Sequence, residues 1–499
     1  MLGAVKPLLR VTALVSLLCA LYSGGCAEAD PVVLSDGGGP PAIVAPKLTS
    51  RRLVTRGSAL IDELGRRVIL RGLNVGGRSK MPPFVPFEIA SNADVPGRAE
   101  QLMAAVRKLG ANGIRLTLSW EALEPQRGVF DSAYIGRYRA LLDAADRAGL
   151  AVIIEFHQDV FQAAFCGDGF PEWALGDIPH GPPHYDCSGF AWSLPYFDPK
   201  SDVSRAFDGL WNNRDGVLDA LVAMWARVAR EFGRHPAVAA FEAINEPGSG
   251  SQTPEMAGAN ILPPFYDRVA VAIEAEVGPA AVLGDDPIAT LNDVARLVRP
   301  SHAHFTYGPH YYDIATTVGA AVEPDRIRSE VSAILARAEA WGSPVVIGEF
   351  GAPNPVTQKA EFTSAVLDAA DVRRASAMAW EASMSDELWN HEDFSVTMSD
   401  GSERAWGAAL DRPVARAIDG TIIDLGWDAA AKRFTLSVEG EGDKVSEVYL
   451  PARQLGSTPQ ITVTGARFRW TAETSTALVS AERGAMWTLV AEASSNLAP

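Results

Sequence analysis

The chain has 499 residues, 47% hydrophobic and 21% charged, the proportions of a soluble globular protein too long for one small domain. Its formal charge of -17 argues against nucleic acid as a partner, because phosphate binding needs a basic face that this sequence lacks. The same charge disfavours simple electrostatic docking to anionic lipid.

In chain order, Lys6 and Arg10 precede an apolar run over residues 11–21 and then small residues, the layout of a secretory signal spanning 1–26. The run is too short to cross a bilayer comfortably. Ser23, Gly24 and Gly25 before Cys26 resemble a bacterial lipobox whose leucine is displaced to Leu21, so lipid attachment at Cys26 and plain cleavage nearby both stand open. Either outcome makes the protein exported, secreted or anchored to the cell envelope. Residues 27–49, rich in Gly and Pro, read as a flexible linker.

From residue 50 onward, short apolar runs alternate with amphipathic segments. Strands are expected at 66–75, 112–120, 151–159, 238–246, 280–285, 302–312, 344–351 and 376–383, with helix-like stretches between them that end at glycines. Eight strand-then-helix units over 50–410 predict a (β/α)8 TIM barrel rather than an open doubly wound sheet. No GxGxxG follows the first strand, which removes the main reason to favour a dinucleotide fold. The excursion over 161–213 breaks the spacing and is packed with aromatics, Pro and Gly. It holds Cys166 and Cys187, which in an exported protein read as a disulfide closing a loop of about 22 residues, worth roughly 3 kcal/mol. Past residue 411, alternating runs such as RFTLSVEG, QITVTG and MWTLVAEA predict an antiparallel β-sandwich over 411–499.

In such a barrel the C-terminal strand ends surround the active site. Those ends carry Arg115, His157, Asp159, Asn245, Glu246, His310, Tyr312, Glu349 and Trp380, while the strand bodies read as almost free of other ionisable groups. A lone strand-end Glu is usually a capping or surface residue. Glu246 and Glu349 together, on opposite sides of one mouth, suit a retaining glycosidase, which needs two carboxyl groups about 5–5.5 Å apart. Arg115 and Tyr312 would hold Glu349 ionised, and the like charge of Glu349 would raise Glu246. Asn245 could meet the sugar 2-hydroxyl and Trp380 the flat face of the ring. His157 reads as structural and electrostatic support rather than a metal ligand, and His180, His184, His235 and His302 sit without a matched partner. No HExxH, P-loop or nucleophile-elbow pattern occurs, so neither metal nor cofactor is expected.

INEP, an Arg after the second strand, the His after the third, His310-x-Tyr312, GEFG around Glu349 and the Trp of the eighth strand together resemble glycoside hydrolase family 5. EFHQDVF (155–161), GDGFPEWA (167–174), AFDGLWNN (206–213) and EVYLP in the sandwich bring the likeness closer to endoglycoceramidases, over about residues 50–495. The resemblance implies Glu246 as acid/base and Glu349 as nucleophile. It implies Lys80, Asp159, Asn245, Tyr312 and Trp380 as sugar-binding residues, although Lys80 stands in GGRSKMPPF, a loop that departs from the family's pattern. It also implies hydrolysis of the bond between glycan and ceramide, with a glycolipid or other β-glycoside as partner and an expected association with a membrane surface. The aromatics Phe161, Phe165, Phe170, Trp173, Phe190, Trp192, Tyr196 and Phe197 could line the lipid side or simply pack the insert. Two alternatives remain at this point: an endo-β-glycanase acting on polysaccharide, and a non-catalytic surface glycan-binding protein.

Overall fold

Eight apolar runs form parallel strands in the computed structural model of the protein, which describes residues 42–288 and 296–494. The expected signal, Cys26 and most of the linker lie outside the described residues. The strands are Arg71–Val75, Gly113–Leu118, Ala151–Phe156, Val238–Glu242, Ala281–Gly284, Phe305–Tyr307 continued by His310–Tyr311, Val346–Phe350 and Ser376–Ala379. Each pairs in parallel with the next, and the eighth pairs with the first through Met378 and Gly72. The sixth meets the seventh through Tyr307 and Val345 and again through His310 and Glu349, so the ring closes. Gly72 lets the first strand lie close against the second, since a Cβ there would lie 1.9 Å from the Gly113 carbonyl oxygen.

The barrel is filled in layers, as the inward register of each strand dictates. Its lower interior holds small and aliphatic side chains, among them Ile153, Ala240, Leu283, Val346 and Met378, with Leu53 and Leu60 packed into the same cluster from the N-terminal segment. One layer higher the chemistry changes from apolar to ionic.

Long helices pack outside the strands: Val95–Lys108, Ser132–Arg147, Val217–Phe232, Leu262–Val277, Pro324–Trp341 and Lys359–Val372. Asp131 caps the second of these by accepting from the Ala133 and Tyr134 amides. No helix is described after the fifth strand. After the eighth, the expected helix is replaced by a loop with short 3-10 turns at Trp389–His391 and Ala405–Ala409. That loop returns over the barrel mouth before the sandwich begins. The 161–213 insert is built on 3-10 turns, one helix, Asp202–Trp211, and the expected Cys166–Cys187 disulfide.

The C-terminal sandwich has a four-stranded antiparallel sheet and a seven-stranded one. Three of the seven come from the N-terminal side: Val54–Arg56, Ala59–Ile61 and Arg67–Val68, the last paired with Val414–Ile418. The run 66–75, expected as one barrel strand, is therefore split. Ile69 enters the sandwich core and the next residue, Leu70, enters the barrel core, as strand alternation requires.

Candidate active site

The floor of the site is Arg115, fully buried and midway along the second strand rather than at its end as expected from the sequence, which sets it one layer below the mouth. Its Nε and Nη2 donate to the two oxygens of Glu242 at 2.6 and 2.9 Å, and its Nη1 to Glu349 Oε1 at 2.6 Å. Asn74 and Asn245 accept at 2.9 Å each, and Glu155 stands 3.5 Å away. Glu155 and Glu242 lie side by side in the register of the third and fourth strands, both fully buried. The strand bodies are thus not free of ionisable groups, contrary to the sequence expectation. A buried charge persists only when paired, and a guanidinium with five donors in a fixed fork can serve several carboxylates at once. Burial alone would raise Glu242, but Arg115 outweighs it and holds this carboxyl at about 2.

Glu246 lies in the segment that follows the fourth strand, which ends at Glu242 rather than at residue 246 as expected, and has a left-handed φ of 38°, an uncommon conformation for a residue with a Cβ. Gln158 Nε2 fixes that backbone by donating to the Asn245 and Glu246 carbonyls at 2.7 and 3.0 Å. The following turn packs tightly, because a Cβ on Gly248 would strike the Phe207 ring at 2.4 Å. The side chain meets His310, whose Nδ1 lies 2.9 Å from Glu246 Oε1 and 3.7 Å from Glu349 Oε2. Tyr312 donates its hydroxyl to Glu349 Oε2 at 2.6 Å. One oxygen of Glu246 and one of Glu349 fall within 4.8 Å of each other.

These surroundings separate the two carboxyls. Glu246 is raised, first by burial and then by the negative charges of Glu349 and Asp159, against the pull of His310. Burial would raise Glu349 too, but His310 first and then Arg115, His157 and the Tyr312 hydroxyl turn the balance and lower it. The directions match the sequence expectation while the causes differ: burial leads for Glu246, and His310 outranks Arg115 for Glu349. His310 is itself raised despite burial, because Asp285, Glu349, Glu242 and Glu246 surround it. Asp285 directly follows the fifth strand and lies 3.7 Å from His310 Nδ1.

Beside this pair lies a second buried cluster. Lys80 Nζ donates to Asp159 Oδ2 at 2.6 Å and to Glu392 Oε2 at 3.1 Å, and sits over the rings of Trp380 and Trp389 at 4.7 and 4.0 Å. His157 stacks on Trp380 with centroids 5.3 Å apart, its Nδ1 2.9 Å from Glu155 and its Nε2 3.3 Å from Asp159. Desolvation pushes Glu392 up to about 7 in spite of Lys80.

A cavity of about 270 Å³ joins these groups. Lys80, Asp159, Asn245, Glu246, Tyr312 and Glu349 line one part of it, with Trp380 as a flat wall. Phe190, Trp192, Leu194 and Phe197 from the insert, together with Ile314 and Val318, supply its apolar lining. Five of the eight insert aromatics serve packing instead. Phe161, Phe165, Phe170 and Tyr196 are buried, and Trp173 packs edge-on against Trp120.

The ten expected site residues, Lys80, Arg115, His157, Asp159, Asn245, Glu246, His310, Tyr312, Glu349 and Trp380, therefore converge on one site. His180, His184, His235 and His302 lie elsewhere, each near a carboxylate: Glu172, Asp202, Asp143 and Glu274. Sequence reasoning missed Asn74, Glu155, Glu242, Asp285 and Glu392. A signal existed for two of them: Glu155 and Glu242 stand in otherwise apolar strands at the same inward register as Ile153 and Ala240. Glu392, in an irregular loop, had none.

Residues 80–386 match the family described as cellulase (glycosyl hydrolase family 5), and residues 412–489 match the glycoside hydrolase family 5 C-terminal domain. The chain is 30% identical over 239 residues to an endoglycoceramidase of Cyanea nozakii, covering 43% of this chain and 46% of that one. It is 30% identical over 338 residues to endoglycoceramidase I of Rhodococcus hoagii, covering 61% and 63%. Each match spans less than two thirds of the relative's length. Among solved structures, endo-glycoceramidase II from Rhodococcus sp. in an iminocyclitol complex superposes with a TM-score of 0.71 at 25% identity, over 88% of this chain and 100% of that one. The same protein as a lactosyl-enzyme intermediate superposes at 0.70, also at 25% identity, with the same coverage.

Proposed function

Because the chain belongs to glycosyl hydrolase family 5, we propose that it is a retaining β-glycosidase acting on glycosphingolipids, cleaving the bond between glycan and ceramide. The observation that carries this reading is the pair Glu246 and Glu349, poised on one cavity with oppositely shifted acidities and a largely apolar remaining lining. An oxygen separation within 4.8 Å suits direct attack by one carboxylate better than the wider gap of inverting enzymes, which must admit a water.

In the first step the Glu349 carboxylate attacks the anomeric carbon as the bond from that carbon to the aglycone oxygen breaks. Glu246 gives its proton to the departing oxygen. In the second step Glu246, now ionised, takes a proton from water, which attacks the same carbon and releases Glu349. Arg115 and Tyr312 keep the nucleophile charged and aimed, and His310 orients Glu246. Asn245 lies beside Glu246 for the 2-hydroxyl, while Lys80 and Asp159 offer a donor and an acceptor to the remaining sugar hydroxyls above Trp380. A lactosyl-enzyme intermediate in a structural relative supports the two-step route.

The apolar rim supports the lipid side of the proposal. Phe190, Leu194, Phe197, Ile314 and Val318 are 44–75% exposed around the cavity and would meet the ceramide and the lipid surface that holds it. The disulfide supports an exported protein, since such bonds persist in oxidising compartments. Intact oligosaccharide or hexose released from a fluorescent glycosphingolipid, with soluble cellulose and mannan untouched, is the expected result. Cleavage of the polysaccharides alone would favour the glycanase reading.

A further inference from the structure

The polar and apolar lining residues of the cavity differ in access as well as chemistry. Of the apolar ones, Val318 is 75% and Leu194 64% exposed. Of the polar ones, the side chains of Lys80 and Asp159 are 3% exposed each and that of Glu392 14%, although all three face the cavity. The loop after the eighth strand, to which Glu392 belongs, covers Lys80. Trp389 lies behind the cavity lining against the Lys80 ammonium, which also touches Trp380, and Glu392 takes a second donor position of the same ammonium.

This cover is fastened on both sides. Trp389 packs edge-on against Trp192 of the insert with centroids 5.0 Å apart, and Asn390 Nδ2 donates to the Cys166 carbonyl at 2.7 Å, beside the disulfide. On the other side Lys359 Nζ donates to the Phe394 carbonyl at 2.8 Å, and Asn354 Nδ2 to the Ser395 carbonyl at 3.0 Å. Asn390 and His391 both hold left-handed φ values, of 44° and 63°, a shape that such surrounding contacts must impose. Two loops therefore meet beside the polar lining of the cavity.

We infer that Trp389 and Glu392 cap the glycan side of the site and restrict it to β-glycosides with a single-hexose head-group, the aglycone leaving past the exposed apolar residues. The inference rests on the proposed placement of the reacting sugar over Trp380. A second hexose would have to displace Trp389 from Trp192 or Glu392 from Lys80, and either move strips partners from buried groups.

Aryl β-glucosides carrying one, two and three β-1,4-linked glucose units, all with the same nitrophenol leaving group, test the cap without any lipid. For the full chain kcat/KM is expected to fall on the order of a hundredfold from one unit to three, since rejection here is steric and polar together. Trp389→Ala should raise the three-unit to one-unit ratio about tenfold or more, and Glu392→Gln, which keeps the packing, should raise it less. Equal or better cleavage of the longer glycosides by the unaltered protein would overturn the inference. A parallel series of glucosyl-, lactosyl- and trihexosylceramide in detergent separates the two readings. If the aryl series shows the expected fall while every ceramide resists cleavage, the cap stands and the lipid assignment falls.

Discussion

Glu246 and Glu349 are the same chemical group placed in two electrostatic settings, and their chemistry follows from the difference. Glu349 has two donors on its oxygens, Arg115 and Tyr312, and His310 nearby. Tyr312→Phe removes one of them. A hydrogen bond to a charged group is worth about 1.5–3 kcal/mol, so kcat/KM should drop roughly ten- to a hundredfold. The sign of the accompanying pH effect is fixed: losing a donor raises Glu349, so the acid limb of the kcat/KM profile should move to higher pH. The alkaline limb belongs to Glu246, which must hold its proton, and Glu246→Gln should abolish that limb while lowering turnover about 10²–10⁴-fold on substrates with poor leaving groups. Glu349→Gln should cost about 10³-fold or more with the fold intact, and no glycosyl-enzyme should be trapped by mass spectrometry. An unchanged turnover in either Gln variant would remove that residue from the proposed mechanism.

At the scale of elements, the insert over 161–213 is where sequence irregularity and function coincide. Its buried aromatics, Phe161 stacked on Phe170 and Phe207 against both, anchor it to the barrel, and this frees Phe190, Leu194 and Phe197 to face the cavity. The Cys166–Cys187 bond closes the base of the exposed part. Replacing both cysteines by alanine should lower stability by up to roughly 3 kcal/mol in a urea titration. The same change should weaken the seat of Asn390 on the Cys166 carbonyl, raising KM more than it lowers kcat. A KM indistinguishable from that of the unaltered protein would show that the insert holds its shape without the bond.

Over the whole molecule, barrel and sandwich share residues rather than merely touching. The N-terminal strands extend a sandwich sheet while Leu53 and Leu60 fill the floor of the barrel. Buried ion pairs continue the seam: Asp371 receives Arg71 from the first barrel strand at 2.6 Å and Arg412 from the approach to the sandwich at 2.9 Å. Arg416 donates to the Gly110 carbonyl at 2.7 Å. Unfolding should therefore be one cooperative transition followed equally by probes in either part. Leu60→Ala, which empties a buried site at the junction, should cost about 2–5 kcal/mol and lower both probes together. Two resolved transitions would contradict a shared core.

The sequence by itself determined what period and composition can carry. Apolar runs of strand length placed all eight barrel strands, turn residues divided the C-terminal strands, and two cysteines in a candidate exported chain announced their bond. It also named nine of the site residues from strand ends, which barrel geometry says converge, while Lys80 came only from the family resemblance. Only the tertiary structure decided what required distances between remote segments. It showed Glu155 and Glu242 beneath Arg115, since burying a charge depends on a partner from another strand. It split residues 66–75 between two cores, because alternation fixes that side chains diverge but not what each side meets. It also brought Trp389 and Glu392 over Lys80, from a loop whose lack of periodicity leaves its path to be set by packing alone.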